Sequence, residues 1–205
     1  MSVPTSYDSV TLAFHEKHAQ EYCDSTARLD LHELYKPFLK ALPPGAHILD
    51  AGCGSGRDTK AFLERGYRVT AIDASPEMAR LATDFIGQRC EIRSFQEMDF
   101  REEFDGIWAC ASLLHVPKCE MPDVTGNFIR ALKVGGIFYI SLKEGEGERI
   151  EADGRLFNYC TDGSFRKLLA NFHALREIAY WKTKENRPCH HADSWLNFLL
   201  EKVRV

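Results

Sequence analysis

The stretch Ile48–Asp58 constrains the fold of this chain more than any other. Three glycines alternate at positions 52, 54 and 56, directly after a short apolar run and directly before a segment with helical character, residues 58–66. Glycine permits positive φ angles and lets a ligand approach the backbone, because no Cβ atom is in the way. Free N–H groups at the start of a helix bind anionic groups. The stretch therefore predicts a strand–loop–helix unit that binds a nucleotide-type ligand.

The spacing of the glycines and of two acids narrows the choice of ligand. The dinucleotide fingerprint is G-x-G-x-x-G, but Arg57 occupies its third glycine position here, which disfavours a nicotinamide oxidoreductase. Asp50 precedes the glycines, where a carboxylate suits a ligand with an ammonium group. Asp73 ends the second predicted strand, where a carboxylate can accept hydrogen bonds from both hydroxyls of a ribose. With these residues the chain resembles the class I S-adenosylmethionine-dependent methyltransferases, most closely the small bacterial members of the tellurite-resistance type.

Length and composition suit one enzyme domain. A chain of 205 residues with 44% hydrophobic and 27% charged residues is typical of one globular domain with a sizeable core. The net charge of −4 makes a nucleic-acid partner unlikely, since tight binding of nucleic acid usually needs a basic face. The seven cysteines are scattered, without a C-x-x-C pair, which favours free thiols in a reducing compartment. With no apolar signal region and no long apolar run, we expect a cytoplasmic protein without a membrane partner.

The order of the predicted elements defines the fold class. Strands are predicted at 46–50, 67–73, 90–95, 104–110 and 137–143, and helices at 57–65, 76–86, 121–132 and 162–172. This alternation predicts a parallel sheet with helices on both faces. Two last runs, 174–183 and 194–203, predict an antiparallel hairpin at the sheet edge, as in the resembled family. The prediction is an α/β fold: a doubly wound, mostly parallel, seven-stranded, Rossmann-like sheet.

The N-terminal residues are predicted to form lid helices over this sheet. Residues 1–205 are expected to be a single methyltransferase domain, with cap helices in 1–43 and the Rossmann-like core in 44–205. In the resembled family such helices help to close the substrate pocket. Tyr7 and Tyr22 are therefore candidates for binding the substrate. The alternative is that these aromatic residues only dock the helices on the domain.

The resemblance implies an S-adenosylmethionine site at the carboxyl ends of the strands. Matching positions assign to it Asp50, Gly52, Cys53, Gly54, Gly56 and Arg57 of the glycine loop, Asp73, Ala74, Ser75 and Met78 after the second strand, Ser94, Phe95, Gln96 and Glu97 after the third, and Ala109, Cys110 and Ala111 at the end of the fourth. Arg57 could bind the methionine carboxylate bidentately, or be a surface arginine. Many relatives place an acid after the third strand to accept from the adenine amine. Here Ser94 or Phe95 stands at that point, so that a backbone group, Gln96 or Glu97 would serve instead.

His115 is the candidate catalytic base. Methyl transfer from a sulfonium is an in-line displacement, in which the protein mainly aligns the reactants and excludes water. A base is needed only when the nucleophile carries a proton, and an unperturbed histidine has a pKa in the useful range. The alternatives for His115 are packing at the top of the next helix or passive ligand binding.

The segment after the fifth strand is where the resembled family varies its acceptor site. Lys143, Arg155 and Tyr159 are therefore candidates for substrate binding, on a lid whose glycines at 145 and 147 would let it move. Arg187 of the final hairpin is a further candidate, because it could reach the same cavity mouth. A solvated acidic loop is the alternative. No metal is expected, because the three consecutive residues of Cys189–His191 do not easily turn to one ion.

The leading hypothesis is a methyltransferase that uses S-adenosylmethionine to methylate a small-molecule acceptor. The alternatives are an RNA or protein methyltransferase and a non-catalytic S-adenosylmethionine-binding module. Oxygen, nitrogen, sulfur and metalloid nucleophiles all need the same donor site, and the sequence identifies neither the acceptor nor the oligomeric state.

Overall fold

The computed structural model describes residues 6–184 and 194–205, with side chains from residue 10 onward. Two helices come first, α1 (Ser6–Thr26) and α2 (His32–Lys40). Strands and helices then alternate: β1 (His47–Ala51), α3 (Arg57–Leu63), β2 (Arg68–Asp73), α4 (Pro76–Ile86), β3 (Cys90–Ile92), β4 (Phe104–Cys110), α5 (Met121–Ala131) and β5 (Leu132–Lys143). The remaining elements are β6 (Glu148–Ile150), β7 (Leu156–Asn158), α6 (Asp162–Leu169), β8 (Leu175–Lys184) and β9 (Ser194–Lys202).

Seven of the strands form one sheet, in the order β3-β2-β1-β4-β5-β9-β8. The five strands from β3 to β5 are parallel, and β9 is antiparallel to both β5 and β8. The prediction of a doubly wound, mostly parallel sheet with a C-terminal antiparallel hairpin is confirmed. The strand order reverses between β1 and β4, and open α/β sheets bind their ligands at the carboxyl ends of the strands beside such a point.

Each face of the sheet has its own apolar core. Successive strand residues point to opposite faces, so Ile48 and Trp108 join one core and Leu49 and Ile107 join the other. Phe38 of α2 and Phe62 of α3 pack on the first face, and Phe128 of α5 and Phe165 of α6 pack on the second. Full burial of each such side chain contributes about 1.5–3 kcal/mol. The central strands are therefore held rigidly from both sides, which fixes the loops at their ends.

Three local features differ from the prediction. β3 ends at Ile92, because the residues after it turn into the cavity wall described below. β5 begins at Leu132, since its first residue pairs with Phe104 ahead of the irregular stretch that contains Gly135 and Gly136. The β6–β7 hairpin was not predicted. All residues of β6 are exposed, so they carry no alternating pattern that would indicate a strand.

The helices give no candidate for a membrane span. Within residues 6–184 and 194–205, none combines enough length with enough hydropathy to cross a bilayer.

Candidate cofactor and acceptor site

A cavity of about 810 Å³ lies at the carboxyl ends of β1, β2, β3 and β4, with α1 and α5 completing its wall. Small-molecule sites usually measure about 300–1,000 Å³, so this one has room for two ligands side by side. The predicted site residues that line it are Tyr22, Gly52, Gly54, Asp73, Ala74, Ser75, Met78, Ser94, Phe95, Gln96, Glu97, Ala111 and His115.

The three loop glycines serve different purposes. Gly52 has a φ of +75°, and a Cβ atom on it would stand 2.6 Å from Ser112 Cβ. Gly54 has a φ of +56° and faces Tyr22 across the cavity. A Cβ on Gly56, in contrast, would meet Ile86 Cδ1 at 2.7 Å, so this glycine allows α3 and α4 to pack. Only the first two glycines line the cavity, and Gly52 is itself packed closely against Ser112.

Asp73 is held at the end of β2 by backbone donors. Its Oδ2 accepts from the N–H of Gly54 at 2.9 Å and its Oδ1 accepts from the N–H of Ser75 at 3.0 Å. Burial raises the pKa of the Asp73 carboxyl, and the two hydrogen bonds oppose that rise. Each carboxylate oxygen keeps a second lone pair. Asp73 thus both braces the glycine loop and presents an acceptor to the cavity.

Asp50 and Arg57 lie behind the glycine loop and do not line the cavity. Asp50 is buried and accepts from Thr59 Oγ1 at 2.5 Å. Burial and the neighbouring Asp58 raise the pKa of Asp50 to about 8, so the carboxyl is mostly uncharged at neutral pH. Arg57 donates to both carboxylate oxygens of Asp58, at 2.6 and 2.9 Å. The roles predicted for Asp50 at an ammonium and for Arg57 at a carboxylate lack support from this geometry.

The buried carboxylate of Asp58 binds Arg57 outside the cavity. It also accepts from the hydroxyl of Tyr35 at 2.6 Å and from Nε1 of Trp108 at 2.8 Å. Burial alone would raise the pKa of Asp58, but the Arg57 guanidinium and these hydrogen bonds outweigh it and hold the pKa below its usual range. Breaking a buried pair of this kind costs about 3–5 kcal/mol. The cluster anchors α2, α3 and β4 behind the loop.

Four other assigned residues are also placed away from the cavity: Cys53, Gly56, Ala109 and Cys110. Cys53 faces Cys90, with 3.3 Å between the two Sγ atoms. The cysteines in the described part of the chain are free thiols. Ala109 is fully buried in the sheet core, because it lies inside β4, whereas Ala111 follows the end of that strand.

The segment after β3 forms one side of the cavity through its own hydrogen bonds. Glu97 accepts from the hydroxyl of Ser94 at 2.8 Å and from its N–H at 3.2 Å, and these bonds lower the pKa of Glu97. Gln96 donates to Glu120 at 2.7 Å. Asn127 of α5 donates to the carbonyl of Phe95 at 2.9 Å. The segment is therefore preorganised, with the Phe95 ring beside Gly52.

His115 lies in a short 3-10 helix, Leu113–His115, directly after β4. Its Nδ1 is 2.7 Å from the carbonyl oxygen of Leu156. A carbonyl only accepts, so Nδ1 carries the proton and Nε2 keeps a lone pair. Burial, and after it the neighbouring His15, lower the pKa of His115 to about 3. His115 is therefore a neutral imidazole that can accept a hydrogen bond from a ligand.

Three predicted lid residues, Lys143, Arg155 and Tyr159, do not line the cavity. The Arg155 guanidinium lies 4.5 Å from the centre of the Phe14 ring and donates to Asp153 at 3.0 and 2.7 Å. Tyr159 donates to Glu151 at 2.7 Å, and Lys143 lies 5.0 Å from the ring of Phe157. Neighbouring rings and carboxylates thus hold these side chains away from the cavity. The side chain of Tyr7 and all of Arg187 lie outside the described residues.

Eleven residues that line the cavity were not predicted as site residues, among them Thr11, His15, Ser112 and Asn127. Ser112 follows β4, and its buried Oγ has no hydrogen-bond partner among the described residues. His15 lies one helical turn before Ala19, which is buried at 1% exposure, so the apolar face of α1 was the available signal. Asn127 shows no signal in the sequence, since only the packing of α5 brings it to β3.

No metal centre is evident. Among the residues that the structure describes, no group of three or more His, Cys, Asp or Glu side chains could hold an ion. The Cys189–His191 run lies outside those residues.

The residues present fit S-adenosylmethionine. Gly52 and Gly54 line the cavity without a side chain, and Ser112, whose hydroxyl has no partner among the described residues, packs directly against Gly52. Asp73 provides an acceptor for hydroxyl groups. Together with Glu97 and Asp123 it makes this side of the cavity acidic, which suits a cofactor with a sulfonium and an ammonium group. The fold and the site thus define an α/β protein that binds a cationic nucleoside.

Comparison with known proteins identifies the kind of domain. Residues 48–136 match a family model described as a methyltransferase domain. A ubiquinone biosynthesis O-methyltransferase of Xylella fastidiosa is 31% identical over 160 residues, covering 68% of this chain and 64% of that relative. The crystal structure of the 1,6-didemethyltoxoflavin-N1-methyltransferase of Burkholderia thailandensis, with S-adenosylhomocysteine bound, superposes with a TM-score of 0.77 at 25% identity, over 100% of this chain and 92% of that chain.

A methyltransferase of Methanosarcina mazei shares the fold, with a TM-score of 0.77 at 20% identity over 86% of this chain and 100% of that chain. Residues 48–136 thus match a methyltransferase domain, and the findings support a class I S-adenosylmethionine-dependent methyltransferase with S-adenosylmethionine as its cofactor. The chain spans less than two thirds of the Xylella relative, so the acceptors of these proteins are considered below as proposals.

The burial of His15 and His115 in the cavity wall predicts that the fold loses stability in acid. Burial lowers the pKa of His115 to about 3 and that of His15 to about 4, whereas an unfolded histidine titrates near 6.5. Below pH 6.5 the unfolded state binds more protons, so the free energy of unfolding falls as the pH falls. We expect each histidine to contribute roughly 2 kcal/mol to this loss by pH 5.

Urea denaturation at pH 7.5 and pH 5.0 checks this expectation. His115→Asn keeps a donor for the Leu156 carbonyl and should lose much less stability between the two pH values than the wild type. His18→Asn is the matched control, because it makes the same substitution at a histidine of α1 that lies outside the cavity wall. An identical loss in the wild type and in His115→Asn would contradict the assignment.

Proposed function

We propose that the protein transfers a methyl group from S-adenosylmethionine to a small-molecule acceptor. The observation that carries the proposal is one cavity whose wall contains the Asp73 carboxylate, Gly52, Gly54 and His115. The strands that end in Asp73 and before His115 flank β1, and two strand spacings separate their ends by about 10 Å. Cofactor and acceptor would thus bind side by side.

The roles of the residues follow from their hydrogen-bonding groups. When bound, S-adenosylmethionine supplies an electrophilic methyl group on a sulfonium. Asp73 would accept from the ribose hydroxyls, and the segment from Ser94 to Glu97 would contact the adenine. Ser112 and Ala111 would border the reacting centre. Through its Nε2 lone pair, His115 would accept a hydrogen bond from an acceptor hydroxyl or ring N–H and so orient the nucleophile.

A small acceptor is favoured over RNA or protein because α1 covers the cavity. Thr11, Leu12, His15 and Tyr22 of this helix form part of its wall, and Glu16 accepts from Ser75 and from the N–H of Glu77, which docks α1 on α4. The net charge of −4 also disfavours nucleic acid. The aligned relatives named for ubiquinone biosynthesis and didemethyltoxoflavin support a small ring compound as acceptor.

Three further points belong to the same proposal. Residues 1–43 would act as a cap on the core 44–205 of one domain, the protein would work in the cytoplasm, and the resemblance to the tellurite-resistance type stays a prediction.

Two measurements test the proposed function. Calorimetric titration with S-adenosylhomocysteine should give a single site with a Kd in the micromolar range. The purified protein is then incubated with methyl-labelled S-adenosylmethionine and a metabolite extract, and the methylated product is identified by mass spectrometry. Cofactor binding without methyl transfer to any metabolite would favour the non-catalytic binding module, and absence of binding would contradict both.

A further inference from the structure

We propose that His15 of α1 and His115 form a paired acceptor site, and that this pair selects a planar ring compound whose nucleophilic oxygen or nitrogen carries a proton. The inference rests on the proposed methyl transfer. It adds a substrate-binding residue, His15, and a chemical class for the acceptor.

The two imidazoles reach the same part of the cavity from different elements. Both line it, and their ring centres are 5.4 Å apart with 71° between the planes. His15 also contacts Tyr22 edge-on at 5.5 Å, and His115 contacts Phe157 at 4.7 Å. Aromatic rings favour edge and offset contacts with other rings. The walls of this end of the cavity therefore suit a flat ring.

The hydrogen-bonding capacity of the pair specifies the nucleophile. His115 donates through Nδ1 to the Leu156 carbonyl, so its Nε2 can only accept. His15 has no hydrogen bond to any side chain or backbone group among the described residues, so it can donate or accept. A hydroxyl or a ring N–H, beside a second polar atom of the same ring, satisfies both imidazoles. A thioether or a tertiary amine lacks the proton that Nε2 of His115 requires.

Leu156 fixes the distance between the two histidines. Its N–H donates to Thr11 Oγ1 at 3.0 Å, which ties β7 to α1 one turn before His15. Its carbonyl accepts from His115 at 2.7 Å. A single buried residue of β7 thus positions both imidazoles, and rigid support of this kind is what a specific binding site needs.

The charges around the pair disfavour an aliphatic ammonium. Arg155, Asp153 and Lys143 are the charged groups that act on the two rings. Arg155 is paired with Asp153, and Arg155 and Lys143 both lower the pKa of His115. These two cations would stabilise negative charge on an acceptor oxygen or nitrogen. They would repel an ammonium.

The test uses the full-length protein saturated with S-adenosylhomocysteine and three probes. 4-Nitrocatechol, followed by absorbance, and 2,4-dihydroxypteridine, followed by fluorescence, represent hydroxylated rings. N-methylglycine, followed by calorimetry, represents aliphatic amines. We expect the wild type to bind a ring probe and not N-methylglycine. His15→Gln should bind that probe at least about tenfold more weakly, the effect of one lost hydrogen bond to a buried group.

Matched variants separate this result from a general disturbance of α1. His18→Gln changes a histidine on the same helix outside the cavity wall and should bind the ring probe within about twofold of the wild type. His15→Phe keeps an aromatic ring, removes both nitrogens and should reproduce the loss, also if His15→Gln does not fold. S-adenosylhomocysteine should bind all these variants as it binds the wild type.

The outcomes distinguish the inference from the proposed function. Wild-type affinity for the ring probe in His15→Gln and His15→Phe would overturn the paired site. Tighter binding of N-methylglycine than of both rings, or binding of no ring probe by the wild type, would overturn the acceptor class. Failure of the wild type to bind S-adenosylhomocysteine would instead overturn the proposed function itself.

Discussion

Replacing Asp73 with alanine is expected to weaken the binding of S-adenosylhomocysteine by at least about 100-fold. The carboxylate is the acceptor at the end of β2 that would receive both ribose hydroxyls, and hydrogen bonds to a charged group contribute about 1.5–3 kcal/mol each. Two such bonds exceed the roughly 2.8 kcal/mol that corresponds to a factor of 100. The variant also leaves the N–H groups of Gly54 and Ser75 without their acceptor. Calorimetric titration measures the Kd.

Two further variants separate a specific effect from a loss of charge or fold. Asp73→Asn keeps the size of the side chain and one carbonyl oxygen, so we expect an intermediate Kd. Asp84→Ala removes a carboxylate from the exposed face of α4, where it pairs only with Arg80 in the described structure. It should leave the Kd within about twofold, since exposed ion pairs contribute little. Unaltered binding in Asp73→Ala, with Asp84→Ala as reference, would refute the role of Asp73.

The features that the sequence predicts well are those set by local patterns. Alternating strands and helices, the alternate glycines and the acid at the end of β2 each depend on neighbouring residues, so the order of elements in the sheet follows from them. Ser75 illustrates the point: it accepts from the N–H of Met78, with proline next along the chain, as the cap pattern predicts for α4.

The sequence does not show the placements that depend on tertiary contacts. Arg57 stands beside the glycines, where a ligand carboxylate is expected, but the buried Asp58 neutralises it more effectively because both are removed from water. His15 carries no motif, and it becomes a cavity residue only because Leu156 and Glu16 dock α1 over the sheet. The charged residues after β5 look like a polar lid in sequence, whereas rings and carboxylates of their neighbours hold them. Residue type alone does not reveal which partner a charged side chain finds.

The substitution Gly52→Ala is expected to abolish cofactor binding in a protein that still folds. Gly52 has a φ of +75°, which costs an alanine about 1–2 kcal/mol. Its Cβ would also stand 2.6 Å from Ser112 Cβ and 3.2 Å from Phe95 Cζ. Ser112 Cβ is fixed to its backbone and cannot rotate away, so the glycine loop must move. That movement would displace Gly52 and Gly54 in the cavity wall and break the hydrogen bond from the N–H of Gly54 to Asp73.

Gly66→Ala is the matched control that separates backbone strain from obstruction. Gly66 has a φ of +84°, with no atom within 4 Å of an added Cβ. Both variants should lose about 1–2 kcal/mol of unfolding free energy from the positive φ, and Gly52→Ala somewhat more from the clash. Only Gly52→Ala should lose binding of S-adenosylhomocysteine, because Gly66 lies at the far end of α3, outside the cavity. Equal Kd values for the two variants, measured by calorimetry on folded protein, would mean that Gly52 is not part of the cofactor site.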